Sequence, residues 1–527
     1  MRYFWTLIVL TLLAFGLRAG SITAQSLWRD EVDALCYAYE FPHLLVEALA
    51  PKRAGDLRTP CACPPPPIAT DWTAGTLRER AVGLLGAMIR QNGPLYYFLL
   101  RGWVALAGHT EYAMRFFSLL FGVLCVPLTA ALGRRLLGRT AATVAAALMA
   151  FSPYMVWYGQ EVKMYTLVPA LVLLALYSLR RAMDEGGIWW AVQVAATTLL
   201  LYTHIWGALL IPLQILWLLV EWPRWRPRWR GALVGMALLT LPYLPLALWQ
   251  IPAVFARRET GFPHRTLGEM ALILLNGWST GIPSRGWPWG ALICGGTAAL
   301  GLVRGLSRPA ARRTALFLVL WLTFPLLVIW LISLRQPLFT DRYLIWCAPA
   351  LYLLVGAGWS TLTTKTRRHE EQFLTNFVSL CLRGVLLLAL LSVFALNLHA
   401  QATVPIKSDV RSAAAYVEAR YQPGDLLLFQ IPHIRYTFDY YFGPTNYLWA
   451  DGLYTNHRTD TGEYRLSEES AGRWMALIVG ERTRVWLVAS EVEMWDERNL
   501  VQGWLERTFI RADEAHFVRV GIYRYHR

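Results

Sequence analysis

Apolar stretches long enough to cross a membrane recur along this chain, and no other feature limits its fold so severely. A bilayer core takes about 20 apolar residues of helix. Stretches of that kind fall at Tyr3–Ala19, Ala113–Leu132, Ala141–Trp157, Tyr165–Leu179, Ile188–Trp206, Ala208–Leu219, Leu233–Ile251, Trp287–Val303, Leu316–Ile332, Tyr343–Gly358 and Val385–His399. The sixth is poorly bounded, because Gly207 and Pro212 interrupt it. Lipid offers no partners for open backbone, so the spans must be helices or a closed barrel, and their length selects helices. The expected fold is an all-α polytopic membrane protein with about eleven transmembrane helices. Composition agrees: 56% of residues are hydrophobic and only 16% charged, against roughly a quarter in soluble domains. The 25 Trp and 24 Tyr residues suit aromatic belts at the two interfaces.

The formal charge of +15 could suggest nucleic acid, but its distribution argues against that partner. Arg134-Arg135-Arg139, Arg180-Arg181, Arg224 to Arg230, Arg304 to Arg313 and Lys365-Arg367-Arg368 all lie between apolar spans, where basic residues anchor cytoplasmic loops. With the N-terminus cytoplasmic, every cluster falls on the inner side, and an odd span number puts the C-terminal segment outside. The segment Pro94–Ala107 would invert this order if it crossed the membrane. It is short and contains Arg101, so it reads as an amphipathic helix lying on the outer surface. The first span is long for a signal peptide and lacks a convincing cleavage site, so it reads as a retained helix. The expected location is the cell membrane.

Two soluble parts remain. Within a membrane domain covering 1–401, residues 22–112 form a first outer loop with surface helices, including the amphipathic stretch Val32–Ala48 and a Pro-rich turn from Pro60 to Pro67. Residues 402–527 read as a small α/β extracytoplasmic domain. Helix-like pieces (Val410–Tyr421, Arg473–Val479, Asn499–Arg507) alternate there with β-like runs at Leu426–Gln430, Val485–Val488 and Phe517–Tyr525, punctuated by Pro423-Gly424-Asp425 and Gly443-Pro444. The seven Cys have no zinc-like spacing. A loop disulfide among Cys36, Cys61 and Cys63 stays open. No repeat and no nucleotide-type glycine loop is present.

Four polar clusters fall at the outer rim in this topology, where charge is costly unless solvated or paired. They are Asp30-Glu31; Arg115 at the start of the second span; the polar turn Ser152–Tyr165 between spans three and four, with Gln160, Glu161, Lys163 and Tyr165; and Asp341-Arg342-Tyr343. His204 lies near the same level. Arg115, Lys163 and Arg342 suit an anionic phosphate, which guanidinium groups bind in bidentate fashion. A carboxylate could take a proton from an acceptor hydroxyl. Snorkelling of the arginines and structural pairing of Lys163 with Glu161 or Asp341 are the competing readings.

Leu27-Trp28-Arg29-Asp30-Glu31 resembles the acidic motif in the first outer loop of GT-C fold glycosyltransferases. The similarity is to the protein O-mannosyltransferase and lipid A aminoarabinose transferase group (glycosyltransferase family 39 and its bacterial relatives). It extends through Gly93-Pro94-Leu95-Tyr96-Tyr97-Phe98-Leu99-Leu100, Arg115-Phe116-Phe117-Ser118-Leu119-Leu120-Phe121-Gly122-Val123 and Ser152-Pro153 to Gln160–Tyr165, with a weaker match at Asp341-Arg342-Tyr343. The resemblance implies transfer of a sugar from a polyprenyl-monophosphate carrier, on the outer face and with inversion, to a protein, lipid or glycan acceptor. It makes Asp30 the catalytic base with Glu31 in support, and Arg115 the holder of the lipid phosphate. Lys163 and Arg342 would assist on the phosphate, and Glu161 would shape a donor pocket that Gln160 and Tyr165 also line. The sugar stays open, with mannose one candidate, and so does a divalent metal. Relatives often carry a His and a second Pro where this chain has Asn92-Gly93, and the Pro/Cys insert in the loop is unusual. A transporter or lipid flippase is the alternative from another class, and a polymerase or ligase using diphosphate-linked oligosaccharides is the alternative within this one.

Overall fold

The computed structural model describes residues 1–35, 38, 93–255, 262–285, 287–361, 372–444, 447–459 and 461–527. The expectations for Val32–Ala48 beyond residue 38, for Pro60–Pro67, for Cys36, Cys61 and Cys63, for Asn92 and for Lys365-Arg367-Arg368 lie outside these residues. The chain forms two compact units, Met1–Ile22 with Ala74–Ala402, and Thr23–Thr73 with Thr403–Arg527.

The first unit is helical. Its α-helices are α1 (Arg2–Ala19), α2 (Pro94–Ala107), α3 (Glu111–Leu137), α4 (Arg139–Phe151), α5 (Pro153–Gly159), α6 (Leu167–Glu185), α7 (Ile188–Leu201), α8 (Leu210–Val220), α9 (Trp229–Phe255), α10 (Leu267–Thr280), α11 (Trp289–Ser307), α12 (Pro309–Ser333), α13 (Ala348–Thr361) and α14 (Gln372–Thr403). Among the described residues seven helices are long and apolar enough to cross a membrane, or eight if the bent pair α4–α5 is one span. Every expected span is helical, so the chain is a multi-pass membrane protein. The fifth span ends at Leu201 rather than Trp206, because Tyr202–His204 turn into a 3-10 helix at Ile205–Leu209. Helix α10 was not foreseen. Its start carries a sequence signal, the capping box in which Thr266 and Glu269 bond each other's backbone N–H.

Helix packing here depends on small residues, because lipid gives helices little reason to associate other than close contact. A Cβ on Gly358 of α13 would fall 1.9 Å from the Thr297 carbonyl of α11, and one on Gly301 would fall 2.3 Å from the Leu354 carbonyl. A Cβ on Gly356 would meet the Ala141 carbonyl of α4 at 2.3 Å. The bend of 54° between α4 and α5 follows from Ser152-Pro153. Proline lacks an N–H and forces the preceding residue out of helical geometry, and Ser152 sits at φ −55, ψ 120.

Several arginines expected as loop anchors are also paired with acids. Arg180 contacts Asp184 at 3.1 Å and the buried Glu221 at 3.5 Å. Arg224 reaches the same two carboxylates at 2.8 and 2.9 Å. Arg135 pairs with Glu185 at 2.6 Å, and Arg181 closes on Glu185 too.

The second unit contains a five-stranded sheet in the order β2-β1-β3-β5-β4, made of β1 (Leu426–Phe429), β2 (Leu448–Asp451), β3 (Arg484–Ser490), β4 (Ile510–Phe517) and β5 (Val520–His526). The first three strands run parallel, and β5 pairs antiparallel with β3 and β4. Side chains alternate across the sheet, so β1 and β3 supply both cores. Leu427, Phe429, Trp486 and Val488 pack with α15 (Val410–Glu418) and α16 (Ile434–Tyr441). Leu426, Leu428, Val485 and Leu487 pack with residues of α17 (Glu468–Val479) and α18 (Leu500–Thr508). The strands β2 and β4 and helix α16 were not read from the sequence.

Candidate functional site

The turn after α5 is the centre of the site in the helical unit. Gln160, Glu161 and Lys163 are all buried there, between membrane helices, where a charge persists only with polar company. The Lys163 N–H bonds the Glu161 carbonyl at 2.8 Å, which closes the turn tightly. Ser118 of α3 fixes it from outside: its Oγ donates to the Lys163 carbonyl at 3.1 Å, and its own carbonyl accepts from Thr166 Oγ1 at 2.6 Å. The Tyr96 hydroxyl of α2 completes this link, 2.8 Å from Ser118 Oγ. Lys163 Nζ lies 5.9 Å from the centre of the Tyr97 ring. Gly93 must be glycine for α2 to begin here. It sits at φ +90, and a Cβ would lie 2.5 Å from Met164 Cε and 2.8 Å from the Thr203 carbonyl. Three stretches distant in sequence, beginning at Gly93, Arg115 and Gln160, therefore meet.

The segment Asp341-Arg342-Tyr343 joins them. The Tyr158 hydroxyl donates to Asp341 Oδ2 at 3.2 Å. The Arg342 guanidinium stands 5.7 Å from the centre of the Tyr165 ring. Glu161, Asp341 and Arg342 all lie within electrostatic range of Tyr158, and Lys163 and Arg342 within range of His204. His204 is packed between rings, 6.2 Å from Tyr165 and 5.5 Å from Tyr343.

His204 carries a second signal. Its Nδ1 accepts the Trp206 N–H at 3.3 Å, which assigns the ring proton to Nε2 in the neutral form. Nε2 is buried and has no hydrogen-bond partner among the described residues. A buried donor without a partner is costly, so this atom is available to a ligand. The sequence showed His204 at the right level, but not its bond to Trp206 or its exclusion from water.

Arg115 and Gln160 act on another part of the unit, the chain leaving α1. Arg115 is buried and donates to the Ile22 carbonyl at 2.9 Å. Gln160 Nε2 donates to the Arg18 carbonyl at 2.8 Å and to Ser21 Oγ at 2.9 Å. Arg18, which the sequence reading passed over, is fully buried and donates to the carbonyls of Ala14, Ala150 and Met149 at 3.0, 3.0 and 3.1 Å. Two of these are at the C-terminal end of α4, where orphan carbonyls favour a cation. Together these side chains fix the segment from Arg18 to Ile22, which leads in sequence to Asp30.

Asp30 and Glu31 belong to the second unit. Asp30 is half-buried, in the first turn of a helix whose Trp28 carbonyl accepts the N–H groups of Glu31 and Val32 at 2.9 and 3.2 Å. Glu31 is fully buried and paired with Lys407 Nζ at 3.0 Å. The segment leading to Asp30 is stitched down by further bonds. Gln25 Nε2 donates to the Val404 carbonyl at 2.8 Å, its Oε1 accepts from Ile406 N at 2.8 Å, and Leu27 N donates to the Tyr441 hydroxyl at 2.7 Å. A crevice at the C-terminal ends of β1 and β3, where the strand order reverses, is lined by Trp28, Arg29, His433 and Glu491 among others. It encloses about 20 Å³, room for roughly one water. Burial first, and Arg29 beside it second, push the His433 imidazole down to about 4. Among the described residues no group of three or more His, Cys, Asp or Glu side chains is placed to hold a metal ion.

The family model described as dolichyl-phosphate-mannose-protein mannosyltransferase matches residues 91–249, the stretch that carries three of the converging motifs. No curated protein sequence matches the chain. Among solved structures the chain is similar to ArnT from Cupriavidus metallidurans bound to undecaprenyl phosphate, at 13% identity and a TM-score of 0.57 over 98% of this chain and 97% of that one. The apo form of that protein aligns over 82% and 88% of the two chains, at 15% identity and a TM-score of 0.51. The archaeal oligosaccharyltransferase AglB from Archaeoglobus fulgidus, in complex with an inhibitory peptide and a dolichol-phosphate, aligns at 12% identity and a TM-score of 0.56, over 99% of this chain and 74% of that one. The likeness to GT-C glycosyltransferases read from the motifs is borne out, and the chain shares their polytopic helical fold.

Proposed function

We propose that this chain is a membrane glycosyltransferase that moves a sugar from a polyprenyl-monophosphate carrier to an acceptor hydroxyl on the outer face of the membrane. One observation carries the reading: Glu161, Lys163, Asp341, Arg342 and the Nε2–H of His204 are gathered around Tyr158 and Tyr165 within the membrane unit. Cations and a buried N–H donor are what a sugar phosphate needs, because charge-assisted bonds to phosphate oxygens are strong where water is excluded. The undecaprenyl phosphate bound to ArnT and the dolichol-phosphate bound to AglB agree with that chemistry.

In the proposed reaction Asp30 accepts the proton of the acceptor hydroxyl as its oxygen attacks the anomeric carbon. The bond from that carbon to the phosphate oxygen breaks, and its electron pair leaves with the lipid phosphate, whose charge Lys163 and Arg342 stabilise. Attack opposite the leaving group inverts the anomeric centre, the stereochemistry of single-displacement glycosyl chemistry. Phosphate is a good leaving group, so no strong general acid is required. Arg115 and Gln160 serve as positioning residues through their bonds to Ile22, Arg18 and Ser21. Glu161 and Tyr165 shape the donor pocket, and Glu31 holds the Asp30 turn in place through Lys407.

The test is Asp30→Asn in purified full-length protein supplied with polyprenyl-phosphate sugar. Expression and membrane insertion are expected to be normal and transfer abolished; near-normal transfer overturns the assignment. Competition between mono- and diphosphate lipids identifies the donor class. Cysteine labelling at Ser408 and Arg226 is expected to report opposite sides of the membrane.

A further inference from the structure

A second groove lies where α3, α11, α12 and α13 meet. It encloses about 350 Å³ and is lined by Leu136, Leu137, Leu318 and Leu354, with Arg304 and Arg308 among its walls. Small residues line it too: Gly301, Gly305, Ala311, Ala315 and Ala357. The same glycines let α11 run against its neighbours. A Cβ on Gly305 would come within 2.8 Å of the Ala315 Cβ. The outer faces of α11 and α12 beside it are apolar and exposed at Val303, Leu306 and Leu316, as side chains against lipid are.

An apolar groove between membrane helices with two guanidinium groups in its wall matches one kind of molecule. It must be an amphiphile with a hydrocarbon chain for the leucine and alanine surface and an anionic head for the arginines. A soluble anion would leave the apolar walls wet, and a zwitterionic lipid would set its own cation against Arg304 and Arg308. Guanidinium is suited to phosphate oxygens, and basic pockets between membrane helices commonly take anionic head groups.

We propose that this groove binds one anionic phospholipid, its phosphate on Arg304 and Arg308 and an acyl chain along Leu136, Leu137, Leu318 and Leu354. The site lies at the end of α11 and α12 that carries the basic cluster Arg304 to Arg313. It does not depend on the transfer reaction, only on these helices being membrane-embedded.

The experiment uses delipidated full-length protein in detergent and native mass spectrometry with added phosphatidylglycerol, phosphatidylcholine or inorganic phosphate. Phosphatidylglycerol is expected to bind with a stoichiometry near one, and phosphatidylcholine at least about tenfold more weakly. The double variant Arg304→Gln/Arg308→Gln is expected to lose phosphatidylglycerol affinity by about tenfold or more, the loss typical of a hydrogen bond to a charged group. Ala311→Trp, which narrows the groove and keeps both arginines, is expected to weaken it as well. Equal binding of the two lipids, or full retention by either variant, overturns the site. Displacement of phosphatidylglycerol by inorganic phosphate alone also overturns it, since that would identify a soluble-anion site.

Discussion

Lys407→Met removes a cation paired with a carboxylate that is shielded from water. The side chains of Lys407 and Glu31 are only 6% and 0% exposed, and Nζ stands 3.0 Å from Oε2. A buried pair contributes little net stability relative to a well-packed apolar pair, because desolvation offsets the attraction. Removing one partner is different, since the other charge keeps its desolvation cost without that attraction, and it typically costs about 3–5 kcal/mol. At about 2–4 °C per kcal/mol for a domain of 150–250 residues, the second unit should melt roughly 6–20 °C lower. Glu31 Oε2 also accepts the Trp28 N–H at 3.4 Å, so the turn carrying Asp30 should loosen with it. Hydrogen-exchange mass spectrometry of the full-length protein reads this directly, as lost protection in peptides covering Trp28 to Leu35. Glu31→Leu combined with Lys407→Met removes both charges and should recover most of the stability. A single variant that melts within about 2 °C of wild type, with unchanged exchange, would show that the pair is solvated and the reasoning wrong.

Three further outcomes follow from the same structure. His204→Phe keeps the ring packing against Tyr165 and Tyr343 but removes the Nε2–H, so donor KM should rise by about 10-fold or more, with His204→Gln recovering part of it; unchanged KM for both would detach His204 from the donor. Gly358→Ala forces a Cβ to 1.9 Å from the Thr297 carbonyl and should lower thermal stability by about 1–3 kcal/mol or more, whereas Gly384→Ala, with nothing within 4 Å, should be neutral; equal effects in a melting assay would refute the packing account. His433 titrates at about 4 when folded, against about 6.5 when unfolded. Between those values the unfolded chain holds the extra proton, so this contribution to stability is complete above about 6.5 and is lost as pH falls toward 4. Melting curves of wild type and His433→Gln should diverge across that window, and parallel curves would exclude the effect.

Much of the site was legible because its parts are short motifs with strong local character. Pro94 and Pro153 start helices, Ser152 lies at a break, and charged residues within apolar sequence identify themselves by their cost. Their convergence followed less directly. That Ser118 fastens the Lys163 turn, or that Tyr158 meets Asp341, depends on helix packing over long sequence separations. Arg18 was overlooked because an arginine at the end of a first span ordinarily snorkels; here it turns inward to the end of α4. Lys407 was overlooked because nothing in its neighbourhood marks it as the partner of Glu31.

The α/β unit divides in the same way. Strand β1 is a continuous apolar run buried on both faces, and such runs announce themselves. Strand β4, Ile510–Phe517, carries Arg511, Asp513 and Glu514 as an exposed edge, so its only mark is its pairing with β5.

By itself the sequence determined that the chain must cross a membrane as helices, because the bilayer penalises unpaired backbone at every residue and apolar length is a local property. It also determined which polar groups were expensive enough to need a reason. Only the tertiary structure decided what each of those groups touches: Arg115 on the Ile22 carbonyl, Glu31 on Lys407, His204 with one nitrogen satisfied and one left over. Such pairings depend on ångström distances between segments separated by up to hundreds of residues, and no local pattern encodes them.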